Sequence, residues 1–182
     1  MDLVLGLDIS TSNVGWCVLD TIKGTLQDAS VVELSKEKNI FEKAYKVRKE
    51  LRDIKKKLNI TSVCIEENLQ AFRPGFSSAK TIVTLARFNG IVTFLCNEVF
   101  ELEPSFVNVN SARKKVGLKV DRKSDTSTKE QVLNFVKLKL PEYEWPMRTL
   151  KSGIRKGLVI PADSCYDIAD AYIVAAASFK NE

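Results

Sequence analysis

The sequence predicts an α/β fold in which a mixed sheet of five strands is flanked by helices. Short apolar stretches bounded by turn residues fill the first 34 positions. Two long stretches with three- and four-residue apolar periods follow, separated by a short extended segment. Extended and helical patterns then alternate up to an Ala-rich closing segment, the order expected of helices covering a sheet. The length of 182 residues is within the range of one domain, taken as 1–182.

Residues 3–10 form an apolar strand that runs into the polar turn Asp8-Ile9-Ser10-Thr11-Ser12-Asn13. Residues 15–20 read as a returning strand and 29–34 as a third, after the turn at Lys23-Gly24. Phe41, Ala44, Val47, Leu51, Ile54 and Leu58 lie on one face of a helix that Asn59 ends. Residues 62–66 form a strand, and 70–77 a polar loop containing Pro74 and Gly75. Ala79, Ile82, Leu85, Ala86, Ile91 and Phe94 mark a long apolar helix over 79–99, and 106–109 is another strand. Thr126-Ser127-Thr128 caps a helix over 129–139, with Glu130 placed to favour its N-terminus. Residues 141–158 have no clear period, and 164–179 form the last helix.

Composition excludes several classes of function. There is no histidine, which removes Ser-His-Asp and Cys-His catalysis and His-based metalloproteases. Cys17, Cys64, Cys96 and Cys165 are far apart in apolar stretches and read as buried small hydrophobes rather than zinc ligands. No apolar run approaches the roughly 18 residues of a membrane span. Secretory and lipidation signals are missing, so a soluble, intracellular protein is expected.

The 28 Lys and Arg exceed the 23 Asp and Glu, for a net charge of +5. This excess suits a polyanionic partner. The basic run 36–57 also carries Glu37, Glu42, Glu50 and Asp53 and reads as a solvated helix face. The runs 113–129 and 148–156 have fewer acids and fall in expected loops. Arg113, Lys114, Lys115, Lys119, Lys123, Lys129, Lys151 and Arg155 are therefore candidate phosphate contacts, and Phe72 and Arg73 of the 70–77 loop are candidate contacts to the same polyanion.

Four acids interrupt apolar segments. Asp8 ends the first strand, where a buried carboxylate is costly unless compensated; a turn or cap is the alternative role. Glu66 ends the strand 62–66, at the edge where α/β folds place ligands, although a structural role is equally open. Asp167 and Asp170 are three residues apart and share a helix face, so their like charges oppose each other. Early acids can complement a helix dipole, but Asp163 suffices for that. A carboxylate set without histidine suits a hard, oxygen-seeking cation: Mg2+, with Mn2+ as substitute. Two such ions about 4 Å apart activate water on one side of a phosphodiester and stabilise the leaving oxygen on the other.

The motif order resembles that of the RuvC family of Holliday-junction resolvases, in the ribonuclease H-like superfamily. Leu5-Gly6-Leu7-Asp8-Ile9-Ser10 with Gly15-Trp16 resembles its opening strand and turn, and Ile65-Glu66-Glu67 its second acidic strand. Ser78-Ala79 and Leu85-Ala86-Arg87-Phe88-Asn89-Gly90 resemble the helix that follows. Lys129-Glu130-Gln131-Val132 resembles the lysine-bearing helix start, and Asp167-Ile168-Ala169-Asp170-Ala171 the closing acidic pair. The resemblance implies a ribonuclease H-like fold and a homodimer that nicks a four-way DNA junction symmetrically. It also implies two Mg2+ ions at Asp8, Glu66, Asp167 and Asp170, with Lys129 near the scissile phosphate. Asn68-Leu69 stands where many relatives carry a junction-wedging aromatic; Phe72 or Phe76 could replace it or simply pack. Residues 141–161 look like an insertion.

Other functions compete. Gly6 to Ser12 also resembles the first phosphate motif of actin-like sugar kinases, but the chain is too short for their two lobes. A RuvC-like nuclease for other branched DNA or RNA-containing substrates is the nearer alternative. A junction-binding protein without cleavage is disfavoured, because all four acids are present.

Overall fold

A computed structural model describes residues 2–67 and 79–179. Strands β1 (Leu3–Ile9), β2 (Asn13–Asp20), β3 (Thr25–Glu33), β4 (Ser62–Glu66) and β5 (Ser105–Val107) form one sheet in the order β3-β2-β1-β4-β5. β1 pairs antiparallel with β2 and parallel with β4, which pairs parallel with β5. The sheet is therefore mixed and five-stranded, as expected. β1 is central because its whole length is apolar apart from Asp8; such a strand is stable only when both faces are covered.

The two faces bury different cores. Leu3, Leu5, Leu7 and Ile9 of β1 project into the core covered by α1 (Ile40–Lys57) and α2 (Ala79–Phe100). Helix α1 buries Val47, Leu51 and Ile54, and Asn39 caps it by accepting from the N–H groups of Phe41 and Glu42. Its lysines and arginines pair outward with acids, as in Lys46–Glu37 at 2.8 Å and Arg48–Glu98 at 2.9 Å, in keeping with a solvated face. Helix α2 matches a membrane span in length and composition, but it packs Phe88, Val92, Leu95, Cys96 and Val99 into this core. Phe88 is therefore a core residue, while Phe94 is exposed. All four cysteines are buried, as expected.

Val4 on the opposite face joins the core formed with α3 (Val109–Lys115), α4 (Thr128–Lys139) and α5 (Ser164–Phe179). Gly6 lies on this face, and α5 crosses it at close range. A Cβ on Gly6 would sit 2.5 Å from the Ala171 carbonyl oxygen and 2.6 Å from the Ala175 nitrogen. Gly15, which pairs with Asp8 across β1 and β2, meets the backbone of Asp167 in the same way. These two missing side chains set how near α5 comes to the sheet.

Four elements differ from the sequence expectation, the least of them β5, which ends at Val107 rather than 109 because Asn108 caps α3. The segment from Arg113, expected as loop, begins in α3; Ala112 is its only buried residue, too little for a helical period to register. Residues 141–158 contain β6 (Met147–Thr149), which pairs antiparallel with β7 (Val159–Pro161) as a hairpin. Three-residue strands are too short for alternation to register. β3 begins at Thr25 rather than 29, because its first residues are polar and half-exposed.

The close contact predicts opposite signs for two substitutions. Gly6→Ala should destabilise by about 1–3 kcal/mol, because the added methyl meets helix backbone that cannot yield cheaply. Gly90 lies in α2 with open space around its Cβ position. Gly90→Ala should stabilise by about 0.5–1 kcal/mol. Urea unfolding midpoints of the two variants check this.

Candidate active site

The acidic residues converge at one end of the central strands. Asp8 follows Leu7, which pairs with Ile65, so the β1–β4 register brings Asp8 beside Glu66. Both share the face covered by α5. The α5 segment that touches Gly15 and Gly6 carries Asp167 and Asp170.

The electrostatics express this proximity. Burial, and then the carboxylates of Glu66, Asp170 and Asp167, push Asp8 well above the usual carboxylate range, and Lys129 opposes the shift. Burial and Asp170 push Glu66 up to about 7 against the pull of Arg113. Burial also raises Asp167, opposed by the Asn13 hydrogen bond and by Lys129. Asp170 is raised by burial and held back by Arg113 and Lys129. Four carboxylates here acquire charge only at a cost, which protons or a cation would relieve.

Protein donors already engage two of them. An Arg113 guanidinium nitrogen lies 3.4 Å from Asp170 Oδ1, with both side chains mostly buried. Asn13 Nδ2 donates to Asp167 Oδ2 at 2.9 Å. The buried Nε of Arg113 has no hydrogen-bond partner. Among the described residues, no group of three or more His, Cys, Asp or Glu is arranged to hold a metal ion as it stands. The donor set nonetheless fits a hard cation: every candidate ligand atom is a carboxylate oxygen, and four carboxyl groups gather where each gains charge only at a cost.

The predicted basic residues separate into two groups. Lys129, near the start of α4, is exposed and acts electrostatically on Asp8, Asp167 and Asp170. The Ser127–Glu130 capping box holds that helix start in place. Arg113 differs from the expected phosphate contact: it turns inward onto Asp170. Lys114, Lys115, Lys119, Lys123, Lys151 and Arg155 are exposed outside the acidic cluster. Phe72 and Arg73, with Phe76, lie outside the described residues. Sequence reasoning missed Asn13 and the inward role of Arg113. The signal for Asn13 was its place in the polar turn that follows Asp8.

No protein-family model matches this chain, and neither does any curated protein sequence. Solved structures do. Thermus thermophilus RuvC in complex with Holliday junction substrate matches with a TM-score of 0.67 at 17% identity, over 98% of this chain and 94% of that one. Another Thermus thermophilus RuvC structure matches with a TM-score of 0.62 at 17% identity, over 97% and 93%. The yeast mitochondrial Holliday junction resolvase matches with a TM-score of 0.57 at 14% identity, over 97% and 77%. The chain has the ribonuclease H-like fold of RuvC over almost its whole length.

Proposed function

We propose that this protein is a metal-dependent endonuclease that resolves four-way DNA junctions by paired, symmetric nicks. The observation that carries the reading is the convergence of Asp8, Glu66, Asp167 and Asp170 in one half-buried cluster at the end of the central strands. The near-complete fold match to a RuvC bound to a Holliday junction supports the substrate class. Homodimerisation belongs to the same reading, because symmetric nicks need two sites.

The four carboxylates would hold two Mg2+ ions, which supply an activated water and stabilise the leaving oxygen. The chain's own groups do the rest. Lys129 offers its ammonium to the phosphate beside the cluster, balancing negative charge as the phosphodiester enters. Asn13 fixes the orientation of Asp167 by donating to one oxygen and leaving the other available. Arg113 neutralises Asp170 until that carboxylate is needed, and its unpartnered Nε can then turn to a phosphate oxygen. Lys114, Lys115, Lys119 and Lys123 supply outer phosphate contacts in the proposed interface, joined by Arg73, while Phe72 would stack on a base.

Asp8→Asn, Glu66→Gln, Asp167→Asn and Asp170→Asn should each lower nicking by about 10²-fold or more, leaving junction binding largely intact. Glu67→Gln is the neighbouring control. Loss of activity in that control with retention in Glu66→Gln would reassign the ligand.

The raised Glu66 also predicts a pH dependence. Its folded pKa exceeds the unfolded value, so its stabilising contribution is full below the ordinary Glu range. That contribution is lost as pH rises through about 7. Metal-free protein should therefore melt at lower temperature at pH 8 than at pH 5. Millimolar Mg2+ should recover most of the loss at pH 8, and Glu66→Gln should flatten the dependence. Melting curves at both pH values, with and without Mg2+, test this; a Mg2+-insensitive melting temperature at pH 8 counts against metal binding.

A cruciform-extruding plasmid separates a resolvase from a general nuclease. Two nicks in one binding event give linear product directly, whereas mixing in Asp8→Asn chains should make nicked circles accumulate. Equal cleavage of plain duplex, or indifference to mixing, would leave the acidic site standing and remove the junction assignment.

A further inference from the structure

The β6–β7 hairpin is used neither by the core nor by the acidic cluster. Residues 145–162 contain no Asp or Glu but include Arg148, Lys151, Arg155 and Lys156. The hairpin is stitched beyond its strands: Leu150 N–H donates to the Leu158 carbonyl at 2.9 Å, and Gly157 N–H to the Leu150 carbonyl at 2.9 Å. A turn closes the tip, where Lys156 N–H donates to the Gly153 carbonyl at 3.1 Å, and Gly153 and Gly157 take φ of 78° and 90°. Those positive φ values suit glycine and let the tip reverse tightly. The base is anchored by the Cys165 thiol on the Pro146 carbonyl and by Arg148 on Asp163 at 3.0 Å.

This built tip holds Ile154 wholly in solvent, and Met147, Leu158 and Val159 are also more than half exposed. A single exposed apolar side chain is ordinary, but one at the apex of a fixed turn among three cations that have no ion pair among the described residues is not. The foot of the arm stands beside the acidic cluster. The arm runs directly into α5, and Asp163 at its foot acts electrostatically on Asp167. Arg148 and Arg155 share a cleft with Glu130 and Lys137 of α4 and Tyr166 of α5.

We propose that the β6–β7 hairpin is a DNA-gripping arm: Lys151, Arg155 and Lys156 hold backbone phosphates beside the acidic cluster, and Ile154 enters the base stack where bases are unpaired. This rests on the reading that the cluster acts on DNA. Cations flanking an apolar wedge are the means by which proteins hold a duplex and open a base step. Aliphatic insertion is least costly at a branch point, where stacking is already interrupted. A second copy of this chain would bring a like-charged arm against it, so the charge pattern favours a polyanion.

The test uses the full-length protein in EDTA and a four-way junction with 2-aminopurine at the branch. Affinity is measured over a salt series. Replacing Lys151, Arg155 and Lys156 with Ala should flatten the slope of log affinity against log salt by about 2–3, at roughly 0.9 per phosphate contact. Lys23→Ala, on the remote β2–β3 turn, should leave the slope unchanged. Ile154→Ser, fully exposed and so compatible with folding, should keep the slope but abolish most of the 2-aminopurine fluorescence rise on binding. If the wild type binds with full slope and the arm variants match it in slope and fluorescence, the arm proposal fails and the nuclease reading stands. If Ile154→Ser instead changes sedimentation and leaves fluorescence unaltered, the tip is a protein interface and the proposal fails. If the wild type binds neither junction nor linear DNA, the underlying reading falls with it.

Discussion

The approach of α5 to the sheet governs the rest of the molecule. Two glycines, one on the central strand and one on its neighbour, allow helix backbone to lie where side chains would otherwise stand. That contact fixes the helix so that Asp167 and Asp170 face the end of β1. Fold and site therefore share one constraint: what closes the core on this face also assembles the acids. A methyl group at either glycine would act on packing and on carboxylate geometry together.

The assembled cluster opposes its own charge. Burial raises all four acids, carboxylate repulsion adds to it at Asp8, Glu66 and Asp167, and the protein answers with three kinds of partner: an amide on Asp167, a guanidinium on Asp170 and an ammonium nearby. None of these neutralises Asp8, which burial and three neighbouring carboxylates push well above the usual carboxylate range and which Lys129 opposes. A site that leaves its central carboxylate so poorly compensated sacrifices stability for the capacity to take up positive charge. The unpartnered Nε of Arg113 belongs to the same pattern, since a donor is held ready at the edge of the cluster.

Much of this was legible in the sequence because it rests on hydrophobic pattern. The strand 62–66 coincides with β4, and the first strand and closing helix agree to within a residue. The four acids stood out because each interrupts an apolar stretch. What was not legible depends on tertiary pairing. Arg113 sits in a basic run and looks like its neighbours, yet its position on α3 turns it inward while Lys114 and Lys115 face solvent. Helix α3 and the β6–β7 hairpin escaped because they bury too little for either period to register. The glycines were visible as motif residues, but their purpose appears only when the helix backbone is laid against them.

Topology also explains why basic residues surround an acidic centre in a chain of modest net charge. β1, β4 and β5 run parallel, so their C-terminal ends lie at one edge of the sheet. Asp8 and Glu66 leave the sheet at that edge, and β5 leads from the same edge into α3 with its cations. The start of α4 and the foot of the hairpin arrive there because α5 enters at the same level, bringing Lys129 and Asp163 within electrostatic reach of Asp167. Phosphate-attracting charge thus gathers where the carboxylates emerge, although the segments that carry it are far apart in sequence. Such a rim can draw a polyanion toward a centre that would repel it on its own. It is the rim, more than the net charge of +5, that reconciles an acidic site with the proposed nucleic-acid substrate.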